Sequence, residues 1–219
     1  YEYNYLSRLA QNPQNPASIL VLHYNSGVSK SEDFGLTWKN INENCFEYQN
    51  WFLGFHPLDT TTLFYTGETG YFNGMIIKSP DGGATWSDYM HPGGDNCIHH
   101  IAFHPVSPDI LIYSGENTIG KSTDKGETWS PVNLYDTGMF FFKVLFDPEN
   151  PDYLYATGLN RGSLSNDMIN VYRSADTGDT WHLAYQEKLD TDCGGVIDMI
   201  VHNNKLIFCE KIKHYPHTV

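Results

Sequence analysis

The 219-residue chain is short of positive charge. Thirteen Lys and Arg stand against 26 Asp and Glu, a formal net charge of -13. There is no Lys/Arg cluster, so the electrostatic footprint of a nucleic-acid or anionic-membrane binder is missing, and neither partner is expected. No apolar run is long enough to span a bilayer. Long helical patterns of Ala, Leu, Glu and Lys are also missing. Cysteine is scarce: Cys45, Cys97, Cys193 and Cys209 form no C-x-x-C pair and are expected to be buried thiols, with a disulfide as the alternative. P-loop, G-x-S-x-G and H-E-x-x-H motifs are absent, which removes the commonest phosphoryl, acyl and zinc-protease chemistries. No metal and no cofactor is expected. The chain opens on Tyr1 rather than Met, which suits the removal of a preceding segment.

What is present is turn chemistry and aromatic bulk. Aromatics reach 15% and hydrophobic residues 40%, enough for a full core. Gly, Pro, Asn, Asp, Ser and Thr are abundant, as many short strands joined by tight turns require. The order within these turns repeats. The pattern S-x-D-x-G-x-T-W occurs in full four times, with Asp33 and Trp38, Asp81 and Trp86, Asp124 and Trp129, and Asp176 and Trp181 at matched offsets. The aspartates are 48, 43 and 52 residues apart. A second repeat lies upstream of each: "LAQNPQNPASILVLHY", "LGFHPLDTTTLFYTG", "IAFHPVSPDILIYSG" and "VLFDPENPDYLYATG", with a degenerate fifth copy, "MIVHNNKLIFCEK". Each reads as strand, Pro-rich turn, strand, because proline cannot donate to a sheet ladder. A third strand runs into each aspartate motif and a fourth begins at each tryptophan.

Each unit of about 45 residues is therefore a four-stranded antiparallel sheet, the length of a propeller blade. The fold class expected is all-β: a single β-propeller over residues 1–219, with blades at about 1–42, 43–90, 91–134 and 135–186 and an incomplete fifth at 187–219. In each aspartate motif the Ser and Asp oxygens can take backbone N–H groups, Gly admits a positive φ, and Trp fills the space between sheets. Five local preferences agree on one hairpin, so these aspartates are structural.

The four copies resemble the Asp-box, or BNR, repeat of sialidases, sortilin-type receptors, xyloglucan-degrading glycosidases and a photosystem II assembly factor. The resemblance covers nearly the whole chain and implies the propeller; it does not imply one function. In those families the box lies at the periphery, away from the ligand face, and most carriers are exported. An extracytoplasmic location is expected on that ground alone.

Propeller geometry then directs the search for a site. The Pro-turns and the boxes share one face. The loops after second strands and the connectors between blades share the other, where loop length varies and ligands bind. That variable-loop face supplies Glu43, Glu68, Asp95, Glu116, Asp136, Arg161, Asp167, Asp190 and Asp192, with Tyr71, Phe72 and His91. Inner strands aligned on their turns place Arg8, Phe52, His100, Lys143 and Asp198 at one equivalent position, beside apolar Leu9, Leu53, Ile101, Val144 and Met199. Arg8, His100, Lys143 and Asp198 are thus expected to ring the central channel, as a self-satisfied charge network or as a ligand-facing cluster. Together with Asp95, Asp136, Arg161 and Asp192 they are the candidate binding residues. His99 and His100, adjacent on a strand, are expected to face opposite sides, which with Cys97 argues against a metal. His56 and His104 read as turn residues.

A sialidase is not expected. Its carboxylate clamp needs three arginines, and the chain holds only Arg8, Arg161 and Arg173, the last beside a box. The Arg-Ile-Pro sequence of that family is absent. No catalytic residue is assigned. The reading is a non-catalytic propeller that binds a glycan or a protein. The alternatives are a glycosidase using a carboxylate pair on the variable face, and an assembly scaffold.

Overall fold

A computed structural model describes residues 6–23, 27–42, 50–69, 73–88, 90–92, 97–132, 138–160, 168–188, 196–202 and 205–210. All of its regular structure is antiparallel sheet. The first blade holds β1 (Leu6–Gln11), β2 (Ile19–His23), β3 (Gly27–Ser31) and β4 (Lys39–Asn42) in that spatial order. The second holds β5 (Asn50–His56), β6 (Asp59–Thr69) and β7 (Asn73–Ser79); its outer edge is continued by Met90, which exchanges backbone hydrogen bonds with Ile76. The third holds β8 (Ile98–Phe103), β9 (Leu111–Gly115), β10 (Thr118–Ser122) and β11 (Ser130–Val132). The fourth holds β12 (Met139–Phe146), β13 (Leu154–Asn160), β14 (Met168–Ser174) and β15 (His182–Lys188). Two strands follow, β16 (Val196–His202) and β17 (Lys205–Glu210). No helix among the described residues is long and apolar enough to cross a membrane. The architecture is that of a β-propeller with incomplete blades.

Both faces of an inner blade are buried, and strand alternation assigns each residue to one seam. Leu63 and Tyr65 join the cluster shared with the first blade through Leu20 and Leu22. Phe64, between them, joins the next cluster with Ile101 and Tyr113. Ile112 looks the other way again, onto Val144 and Phe146. Burying one such side chain contributes about 1.5–3 kcal/mol, so the seams carry the fold.

The four boxes share one bonding pattern. The Ser hydroxyl donates to Asp Oδ1 at 2.7–3.0 Å and accepts the Gly N–H at 2.8–2.9 Å. Thr returns its N–H to Oδ1 at 2.8–2.9 Å and its hydroxyl to Oδ2 at 2.5–2.6 Å. The Thr37 hydroxyl and amide, with Ser31, hold the Asp33 carboxyl down at about 2. Burial pushes the Asp176 carboxyl up, but the Thr180 and Ser174 bonds outweigh it and leave it at about 2.

The box glycine has a second role. Each lies at positive φ, and in three boxes it also presses on the preceding blade. A Cβ on Gly83 would meet Ile41 at 2.4 Å, one on Gly126 would meet Phe64 at 2.8 Å, and one on Gly178 would meet Ile112 at 2.8 Å. Salt bridges run along the same seams, Lys78 to Glu127 and Lys121 to Asp179. The box of the first blade has no such neighbour among the described residues. A Cβ on Gly35 would touch only its own Trp38, at 3.5 Å. Trp38 is accordingly 45% exposed, not buried between sheets as expected for every box tryptophan. Leu9, Phe34 and Leu36 are exposed on the same blade.

The Pro-turns carry their own cap. Asn12 Oδ1, His104 Nδ1 and Asp147 Oδ1 each accept two successive backbone N–H groups, and His56 Nδ1 accepts one. His56 and His104 are thus turn residues, as expected.

Gly126→Ala and Gly35→Ala separate the two roles of the box glycine. Their φ values are close, +80° and +86°, so the backbone strain is common to both, about 1–3 kcal/mol. Gly126→Ala must in addition displace Phe64. Urea unfolding is expected to show a clearly larger loss for Gly126→Ala; equal losses would remove the seam contact from the account.

Candidate functional site

The inner strands of all five sheets break alternation at the same place. The pairing register slips at Leu6/Arg8, Asn50/Phe52, Ile98/His100, Phe141/Lys143 and Val196/Asp198. Each slip is a β-bulge, with one residue unpaired: Ser7, Trp51, His99, Phe142 and Ile197. At His99 the bulge interrupts simple alternation, and the two adjacent rings lie against different neighbours, His99 against Trp51 and Phe142 and His100 against Phe52. The sequence does carry the signal. Apolar or buried positions recur at a spacing of three, as in Ile98 and Ile101, where an uninterrupted strand would space them by two.

The bulges gather a row across four blades near the connector end of the inner strands. Arg8 Nε donates to the Trp51 carbonyl at 2.6 Å. The Trp51 ring meets the His99 ring edge-on, centroids 4.6 Å apart. His99 stacks on Phe142 at 5.5 Å and donates from Nδ1 to the Phe141 carbonyl at 2.9 Å. Arg8 is exposed, Trp51 and Phe142 are half-buried, and His99 is buried. The indole N–H of Trp51 is buried without a hydrogen-bond partner among the described residues.

Next to this row lies a thiol–carboxylate pair. Cys97 Sγ donates to Glu68 Oε2 at 2.8 Å, and both side chains are buried. Burial, the bond to Glu68 and the charge of Glu116 all push the Cys97 thiol up. It is a proton donor to Glu68 and has none of the thiolate character a nucleophile needs. Among the described residues no three His, Cys, Asp or Glu side chains are placed to hold a metal.

Of the residues expected to ring the channel, Arg8 attaches to the neighbouring backbone, and His100 packs edge-on against Phe52 at 5.0 Å. Lys143 is half-buried directly after the Phe142 bulge. Asp198 pairs with Cys209 in the ladder, and its side chain lies outside the described residues. Phe52 and His100 line an apolar cavity of about 320 Å³ with Phe103, Leu145 and Phe146. Pro57, Pro105 and Pro148 border it, which places it towards the Pro-turn end. Asp95, Asp136, Arg161 and Asp192 lie outside the described residues, as do Glu43, Tyr71, Phe72, Asp167 and Asp190. Alignment on the Pro-turns missed Trp51 and Phe142, which the bulge brings into the row.

Burial lowers the proton affinity of His99, with the Phe141 carbonyl and Glu68 opposing it. Burial likewise lowers His56 and His104. All three are neutral in the folded chain at pH 7.

The family model described as Sortilin-Vps10 (sortilin, neurotensin receptor 3) matches residues 74–218. No curated protein matches the chain. Among solved structures, the xyloglucanase of glycoside hydrolase family 74 from Xanthomonas campestris is 18% identical with a TM-score of 0.64, over 83% of this chain and 30% of that one. The family 74 enzyme of Niastella koreensis is 23% identical with a TM-score of 0.62, over 81% of this chain and 30% of that one. YCF48 from Cyanidioschyzon merolae is 12% identical with a TM-score of 0.60, over 90% of this chain and 62% of that one. The chain thus spans under a third of the two hydrolases, and at these identities the likeness is one of fold.

Neutral histidines and depressed carboxylates set the pH dependence. For the histidines, the unfolded chain binds more protons below about pH 6.5, so stability is full above that value and falls as pH drops through the folded values. For Asp33 and Asp176, stability is full above about pH 4 and lost towards pH 2. Thermal melts are expected to hold level above pH 7, decline below about 6.5, and decline again below about 4. His104→Asn, which puts the cap of the first blade into the third, is expected to fold and to flatten the first decline. A melting temperature constant from pH 7.5 to 5 would contradict this.

Proposed function

The chain belongs to the Sortilin-Vps10 family, and we propose that it is an exported, non-catalytic propeller that binds a glycan or a protein on its variable-loop face. The observation that carries this reading is the row Arg8, Trp51, His99 and Phe142. A guanidinium beside aromatic rings of limited rotamer freedom is the composition of a binding hot spot. The bulges that build the row recur in every inner strand, and bulges concentrate where a side chain is re-aimed at a ligand. The family description names a neurotensin receptor and one structural neighbour is a xyloglucanase, so both ligand kinds have precedent among similar proteins.

Hydrolysis by a carboxylate pair has one observation in its favour: Glu68 and Glu116 both act on the Cys97 thiol. Glu68 is only 8% exposed and accepts that thiol. A general acid must reach a leaving-group oxygen, and this one is turned to a buried partner.

The test is ligand capture on an array of neutral and acidic glycans and on a peptide library, for the whole chain and for Trp51→Ala. The expected result is capture of at least one class, weakened about tenfold or more by the substitution, with no release of reducing sugar from xyloglucan. Steady hydrolysis that Glu68→Gln abolishes would replace the binding reading with the catalytic one.

A further inference from the structure

A second cavity, of about 520 Å³, lies away from the inner strands, at the seam of the first and second blades. Its volume is within the range of small-molecule sites. Asn42, Tyr65, Trp86, Asp88 and His91 line it. None of them is needed for the row at the channel.

The side chains are held in place by bonds that leave specific atoms over. Trp86 spends its indole N–H across the seam on the Ile41 carbonyl at 2.9 Å, and its ring packs edge-on against Tyr65 at 5.5 Å. Asn42 Nδ2 donates to the Tyr65 hydroxyl at 3.3 Å. His91 Nδ1 bonds the Gly74 carbonyl at 2.9 Å. A carbonyl only accepts, so the proton sits on Nδ1, and Nε2 is left as a lone-pair acceptor. The Asp88 side chain is exposed, and its carboxylate is engaged by no described residue. The lining thus offers a half-buried indole and two acceptors, Asp88 and His91 Nε2. That set matches a molecule with apolar C–H faces and several hydroxyl donors. It does not match an anion, because Asp88 and the net charge of -13 both repel one.

We propose that this seam is a binding site for a neutral oligosaccharide, with Trp86 as the platform for a sugar ring and Asp88 and His91 Nε2 as acceptors for its hydroxyls. The proposal rests on the glycan half of the reading above and adds a place and a ligand class to it. Position supports it: Asn42 ends the first blade and His91 follows the outer edge of the second, so the cavity is lined from the two connectors on the variable-loop side.

Isothermal titration of the whole chain with cellotetraose and mannotetraose, and with sialyllactose as the acidic comparator, tests it. Asp88→Ala and His91→Ala change exposed side chains, and an unchanged melting temperature checks that both fold. At least one neutral tetrasaccharide is expected to bind, each substitution to weaken it about tenfold, and Trp51→Ala to leave it unchanged. Sialyllactose is expected not to bind. Binding that survives both seam substitutions and is lost in Trp51→Ala would overturn the seam while leaving the channel row in place. Equal binding of sialyllactose, or no binding of either neutral sugar, would overturn it too, and a ligand captured at the channel row would be unaffected.

Discussion

The contact on which the structure depends is a glycine of one blade pressed against an apolar side chain of the blade before it. Gly83 on Ile41, Gly126 on Phe64 and Gly178 on Ile112 are the same contact three times. Each glycine is brought there by a hairpin closed on Ser and Asp oxygens, and each is followed by a tryptophan laid along the same seam. One blade cannot bury both of its faces alone. The box therefore acts less as a turn within a blade than as the clasp between blades. The first blade shows the converse: no described blade precedes it, a Cβ on its Gly35 would meet only its own tryptophan among the described residues, and Phe34, Leu36 and Trp38 are exposed.

This division of labour leaves the opposite end of the blades open for function. The box face is committed to hydrogen bonds that repeat from copy to copy. The connector end carries the features that differ between blades: the bulge residues Trp51, His99 and Phe142, the buried Cys97–Glu68 pair, and the seam cavity beside Trp86 and His91. Trp86 belongs to both halves. Its indole N–H ties the second blade to the first, and its ring lines the seam cavity.

Much of the fold was legible because it repeats. Five matched positions in four copies define the box, and Pro beside Asn, His or Asp defines the opposite turn. The site was less legible for a physical reason. Register in a strand is read from alternation, and a bulge breaks alternation without changing composition. Alignment on the Pro-turns identified Arg8 and His100, but it passed over Trp51 and Phe142, one residue earlier. The seam cavity was harder still. Asn42, Tyr65, Trp86 and His91 are spread over 50 positions in sequence and meet only when one blade is laid against the next. His91 was named as a loop residue, but the Gly74 carbonyl that fixes its tautomer has no trace in the sequence.

The central claim is that the box face holds the propeller together while the connector end meets the ligand. Hydrogen–deuterium exchange of the whole chain, with and without a captured ligand, reads that division directly. The account requires new protection in the peptides carrying Trp51, His99 and Phe142 or those carrying Asn42, Trp86 and His91, with the boxes around Asp33, Asp124 and Asp176 unchanged. Protection concentrated in the boxes around Asp33, Asp124 and Asp176 would contradict it.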